Sequence, residues 1–213
     1  YSKVVMAPDE LGAIAKAAWL KAVIGRPGPT WIDIPINVQG AEFDPTAHCA
    51  PADDNEFEVS LEADTSPDIT AALDTIIEAI REAERPIIIA GNGIQFSQTV
   101  GELRQIGEYL NIPISTVWNA HDIIPNAHSS FCGRTGSDGD RAGNFAVQNA
   151  DLILILGARM AIRQVGFNHT AFGRAAKQIM VDLDPIEMNK PTLRIDHKFE
   201  VDLRILMPEF QKR

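Results

Sequence analysis

Two short segments, Pro86–Ala90 and Leu152–Leu156, are apolar throughout, and a glycine follows each directly. A strand without a polar face must be covered on both sides, as strands of parallel sheets flanked by helices are. The neighbouring sequence supplies those helices. Ile69, Leu73, Ile76, Ile77 and Ile80 recur at three and four residues, as do Val100, Leu103, Ile106 and Leu110, which is the period of one helix face. Ser66 can cap the first of these helices, with Pro67 at its first position and Asp68 near the positive end of its dipole. The pattern predicts helices over 66–84, 97–110, 141–150 and 201–210, and strands over 86–90, 114–118, 151–156, 178–183 and 193–195. Strands alternating with amphipathic helices give an α/β fold, a doubly wound parallel sheet of the Rossmann-like kind.

The first 39 residues follow a different plan. A helix is predicted over 8–24, a rigid turn at Arg26-Pro27-Gly28-Pro29 and a strand over 30–35. This helix–strand unit is too small to bury its own apolar face, so by itself it reads as a remnant. Between Arg26 and Arg81 there is no Lys or Arg, while twelve Asp or Glu fall there, and the rest of the chain carries 19 basic against 17 acidic residues. Residues 40–65, with Pro45, Pro51 and the run Asp53-Asp54-Asn55-Glu56, have the composition of a hydrated linker. The expected organisation is therefore remnant 1–39, acidic linker 40–65 and a complete α/β domain over 66–213.

A net charge of −10 argues against nucleic acid as the partner. The apolar runs are far shorter than the ~20 residues of a membrane span, and no signal peptide opens the chain. Cys49 and Cys132 lack metal-ligand spacing and suit a reducing, cytoplasmic setting. The sequon at Asn168 reads as chance, and a start at Tyr1 hints that residues have been trimmed away. Neither HExxH, GxSxG nor a Walker sequence occurs, so no catalytic or metal-ligating residue is assigned. His121 and His128 read as loop histidines, and Trp19, Trp31 and Trp118 as core or interface residues.

Ligands of open α/β sheets bind beyond the carboxyl ends of the strands. There the sequence places Gly91-Asn92-Gly93, Gly157-Ala158-Arg159 and Asp182-Leu183-Asp184, and before the helix at 141 the run Gly136-Ser137-Asp138-Gly139. Glycines let backbone amides approach a diphosphate. Arg159 and Arg163 can pair with phosphate oxygens, and Asp182 or Asp184 can accept a ribose hydroxyl or adenine amino proton. Equally, Gly91, Gly93 and Gly157 can simply make tight turns, since Phe96 stands where a GxGxxG fingerprint needs its last glycine. Both readings stay open at this level.

The stretch Gly25-Arg26-Pro27-Gly28-Pro29-Thr30-Trp31-Ile32-Asp33-Ile34-Pro35 closely resembles the end of the N-terminal domain in thiamine-diphosphate enzymes of the acetolactate synthase family. Pro86–Gly93, Ala142–Asp151 with Gly157-Ala158-Arg159, and Val181–Pro185 with Asn189-Lys190 resemble successive blocks of that family's central domain. The resemblance implies a parent that decarboxylates a 2-oxo acid and passes the aldehyde unit to an acceptor, with thiamine diphosphate and Mg²⁺ held outside these 213 residues, as a homodimer or homotetramer. It also implies that this chain alone does not catalyse, and that the central domain can hold FAD or ADP. Competing expectations are a stand-alone module binding FAD, ADP or NAD, and a purely structural domain. The sequence departs from the family at Ser137-Asp138, where Met-His is common, at Asn92 of the glycine turn, and at Ala161-Ile162, where Asp-Asp is usual.

Overall fold

The computed structural model describes residues 1–24, 27–45 and 67–213. The Ser66 cap, the acidic run Asp53–Glu56 and Cys49 lie outside the described residues. The chain divides into two units, Tyr1–Glu62 and Ala63–Arg213.

In the first unit, β1 (Ser2–Val4) and β2 (Trp31–Asp33) form a two-stranded parallel sheet, with Lys3 opposite Ile32. Helix α1 (Leu11–Val23) contacts β2, and a short α2 (Ile36–Gln39) follows. The partner strand β1 is not foreseen by the sequence pattern, and β2 is shorter than the expected 30–35. Among the unit's described residues, the buried apolar ones are Val5, Ala18 and Val38. A two-stranded sheet with one covering helix has too little apolar surface for a core, and Trp31 stays 70% exposed.

The second unit is the α/β domain. Its helices are α3 (Pro67–Glu82), α4 (Gly93–Phe96), α5 (Val100–Leu110), α6 (Arg141–Asn149), α7 (Ile162–Val165), α8 (Pro185–Met188) and α9 (Leu203–Lys212). They surround a six-stranded, all-parallel sheet of β3 (Pro86–Ala90), β4 (Ile114–Thr116), β5 (Phe131–Arg134), β6 (Leu152–Leu156), β7 (Lys177–Asp182) and β8 (His197–Glu200). The order across the sheet is β5-β4-β3-β6-β7-β8, the 3-2-1-4-5-6 order of dinucleotide folds, which reverses direction between β3 and β6. Ile87, Ile88 and Ile89 of β3 and all of β6 are buried, as strands without a polar face require.

Three expectations are corrected. The last strand is His197–Glu200 rather than 193–195. It is an edge strand whose residues alternate between half-buried and exposed, while Leu193 and Ile195, apolar on alternate positions like a strand, pack against the core from the segment before it without pairing. The helix expected over 97–110 starts at Val100, because Gln98 takes a left-handed φ of 58° and separates it from α4. Strand β5 escapes the sequence pattern, since Gly133 at φ 107° breaks its alternation. Trp19, Trp31 and Trp118 are exposed and stand outside the core.

Candidate functional site

A parallel sheet brings all its strand ends to one edge. Ala90 lies opposite Leu156 in the ladder, and Leu156 opposite Val181, so the turns after β3, β6 and β7 leave the sheet side by side. All ten candidate residues (Gly91, Asn92, Gly93, Gly136, Gly139, Gly157, Arg159, Arg163, Asp182 and Asp184) lie at the end of β7 or on turns and short helices after β3, β5, β6 or β7.

The two glycine turns at the switch point are packed on each other. The Gly91 amide donates to the Leu156 carbonyl at 2.9 Å and the Gly93 amide to the Gly157 carbonyl at 3.0 Å. A Cβ on Gly91 would fall 2.2 Å from the Gly157 oxygen, and one on Gly93 2.6 Å from the Gly157 Cα. Glycine is therefore required there for backbone-to-backbone approach, and these two amides already have partners.

The loop after β5 is similarly built from within. Gly136, at φ 107°, donates its amide to Asn144 Oδ1 at 2.9 Å, and Asn144 Nδ2 returns a bond to the Gly136 carbonyl at 3.0 Å. The Gly139 amide bonds the Gly136 carbonyl at 3.1 Å, and the Ser137 amide bonds the Arg163 carbonyl at 2.7 Å. Ser137-Asp138 thereby ties this loop to α7.

The arginines carry the exposed charge. Arg163 Nη1 lies 3.2 Å from Asp138 Oδ2, and its guanidinium sits 5.5 Å from the Trp118 ring centroid, a cation–π distance. Arg159 donates from Nε at 3.0 Å and Nη2 at 2.8 Å to Oε1 of Glu187, while its side chain is 65% exposed. Lys190 pairs with Oε2 of the same carboxylate and donates to the Arg159 carbonyl at 3.0 Å. Burial alone pushes the Glu187 carboxyl up, but the bonds and charges of Lys190 and Arg159 outweigh it and hold the group below its ordinary value. The bond to Glu187 is also the largest cause raising the Arg159 guanidinium above its own.

On β7, Asp182 Oδ1 accepts the Asp184 amide at 3.0 Å. Asp184 caps α8 by accepting the amides of Ile186 at 2.9 Å and Glu187 at 3.4 Å. The guanidiniums of Arg159 and Arg163 are the exposed cationic groups of this edge, whereas the amides of Gly91 and Gly93 already have backbone partners.

Sequence reasoning placed Asp138 in this edge's loop without assigning it the partner Arg163, and missed Glu187 and Asn144 as parts of the edge. A signal existed for Glu187: Asp184 at the cap with Glu187 three residues on is the spacing of a capping box. Here Glu187 turns instead to the arginine on the neighbouring turn. Among the described residues, no cluster of three or more His, Cys, Asp or Glu is disposed to hold a metal ion, and no helix is long and apolar enough to cross a membrane.

Residues 73–207 match the family described as thiamine pyrophosphate enzyme, central domain. The probable acetolactate synthase large subunit of Methanocaldococcus jannaschii is 33% identical over 86% of this chain and 30% of its own length. The acetolactate synthase isozyme 2 large subunit of Escherichia coli K12 is 32% identical over all of this chain and 36% of its own length. A chloroplastic probable acetolactate synthase 2 of Oryza sativa is 31% identical over 89% of this chain and 28% of its own length. The chain spans about a third of the length of these curated relatives.

Proposed function

Since the chain belongs to the thiamine pyrophosphate enzymes, through their central domain, we propose that it serves a 2-oxo acid decarboxylating and carboligating enzyme of the acetolactate synthase kind. The observation that carries this reading is continuous similarity across the chain to acetolactate synthase large subunits. The whole protein would use thiamine diphosphate with Mg²⁺ and assemble as a homodimer or homotetramer in the cytoplasm. Thiamine diphosphate, when bound, supplies the electron sink for carbanion chemistry at a carbonyl. The present chain would supply no catalytic group, and the 213 residues alone would be inactive.

Within this domain, the edge at the β3–β6 switch point would hold the phosphates of FAD or ADP. Arg159 and Arg163 would meet phosphate oxygens, and Asp182 and Asp184 would accept from ribose or adenine. Asn92 would line the crevice, while Gly91, Gly93, Gly136, Gly139 and Gly157 would shape it by close backbone approach. Titration of the protein with ADP and with FAD, followed by calorimetry and flavin absorbance, tests this. Micromolar binding that weakens on Arg159→Met supports it. No binding at millimolar ligand favours a purely structural domain, the reading favoured by the internal partners of the Gly91 and Gly93 amides.

A further inference from the structure

We propose that Glu187 is a positioning residue that fixes the Arg159 guanidinium and the turn carrying it, so that the Nη1 edge is presented outward to phosphate. The proposal rests on the nucleotide reading of this edge and adds to it the residue that sets the geometry.

Three observations converge. First, both hydrogen bonds from Arg159 come from Nε and Nη2 and end on a single oxygen, Oε1. Neither involves Nη1, so the guanidinium is held along its Nε–Nη2 edge on a side chain that is still 65% exposed. Planar, two-pronged donation to a phosphate needs such a fixed fork.

Second, Met160 is buried and has φ 48°, a left-handed backbone that a non-glycine residue keeps only where its surroundings over-determine it. The peptide leading into Met160 is held by Lys190, whose Nζ donates to the Arg159 carbonyl at 3.0 Å. That lysine is in turn paired with Glu187.

Third, Glu187 is itself buried, at 7% exposure. A buried carboxylate is tolerated where paired cations and hydrogen bonds offset its lost hydration. One carboxylate on α8 thus anchors both the side chain and, through Lys190, the backbone of the turn after β6.

The test follows Arg159 itself and not only ligand affinity. In the wild-type protein, the ¹⁵N heteronuclear NOE of Arg159 Nε–Hε should be as high as that of the sheet amides. In Glu187→Gln, and more weakly in Lys190→Met, it should fall toward that of a freely exposed arginine. Glu187→Gln should also weaken ADP binding by about tenfold. Glu187→Asp, which keeps the charge on a shorter arm, should recover part of both losses. A mobile Arg159 Nε in the wild-type protein overturns the proposal without any variant, and so does an unchanged NOE in Glu187→Gln. Absence of ADP and FAD binding to the wild-type protein overturns the nucleotide reading, and with it the phosphate half of this proposal. The NOE series still decides whether Glu187 positions Arg159.

Discussion

Gly93 and Gly157, on the turns after two adjacent central strands, are joined by an amide-to-carbonyl bond of 3.0 Å, with no room for a side chain between them. A methyl on Gly93 meets backbone, which cannot swing away as a side chain can. Gly93→Ala should therefore cost about 3 kcal/mol, the upper range for overpacking. Gly101 lies within α5, and a methyl there would meet nothing within 4 Å, so Gly101→Ala should gain up to ~1 kcal/mol from helix propensity. Urea denaturation of the two variants checks the contrast, and equal midpoints would refute it.

Asn111 ends α5 in the left-handed region at φ 54°, and its amide donates to the Glu108 carbonyl at 3.2 Å. Its side chain is exposed, so backbone conformation governs the outcome of substitution. Asn111→Gly should be neutral or stabilising by a few tenths of a kcal/mol, while Asn111→Ala should cost about 1 kcal/mol. Thermal denaturation of the pair measures the difference directly.

Asp151 ties the end of α3 to the start of β6 by accepting the amides of Glu84 and Arg85, each at 2.9 Å. Burial pushes its carboxyl up, but those two amides and the Arg85 charge outweigh this and hold it below its ordinary value. A carboxyl depressed in the folded state contributes stability above its unfolded value, and that contribution is lost as pH falls through the folded value. Asp151→Ala should cost about 2 kcal/mol at pH 7. The gap should begin to close only below about pH 4, as urea midpoints of both proteins across pH 7 to 3 would show.

The sheet is legible in the sequence because Ile87–Ile89 and Leu152–Leu156 have no polar face to expose, and because the helices beside them keep a strict period. Strands β5 and β8 are not, since Gly133 and the alternating His197–Glu200 lack a continuous apolar signature. At the candidate site, sequence locates the turns but not the commitments of their groups. Whether the Gly93 amide is available depends on the carbonyl of Gly157, sixty-four residues away in sequence. Glu187 has the spacing of a helix-cap residue because spacing reports its own helix, whereas its partner Arg159 comes from the neighbouring turn. The resemblance to the acetolactate synthase family supplies what pattern cannot, and the central-domain match over 73–207 bears it out.

We propose that this chain serves a thiamine-diphosphate-dependent 2-oxo acid enzyme without itself supplying a catalytic group. Release of CO₂ from pyruvate and other 2-oxo acids, measured with thiamine diphosphate and Mg²⁺, tests it most directly when the 213-residue chain is compared with a longer protein that contains it. The longer protein should release CO₂ in a thiamine-diphosphate-dependent manner, and the 213 residues alone should release none above the blank. Turnover by the 213 residues alone, or none by the longer protein with any 2-oxo acid, would contradict the claim.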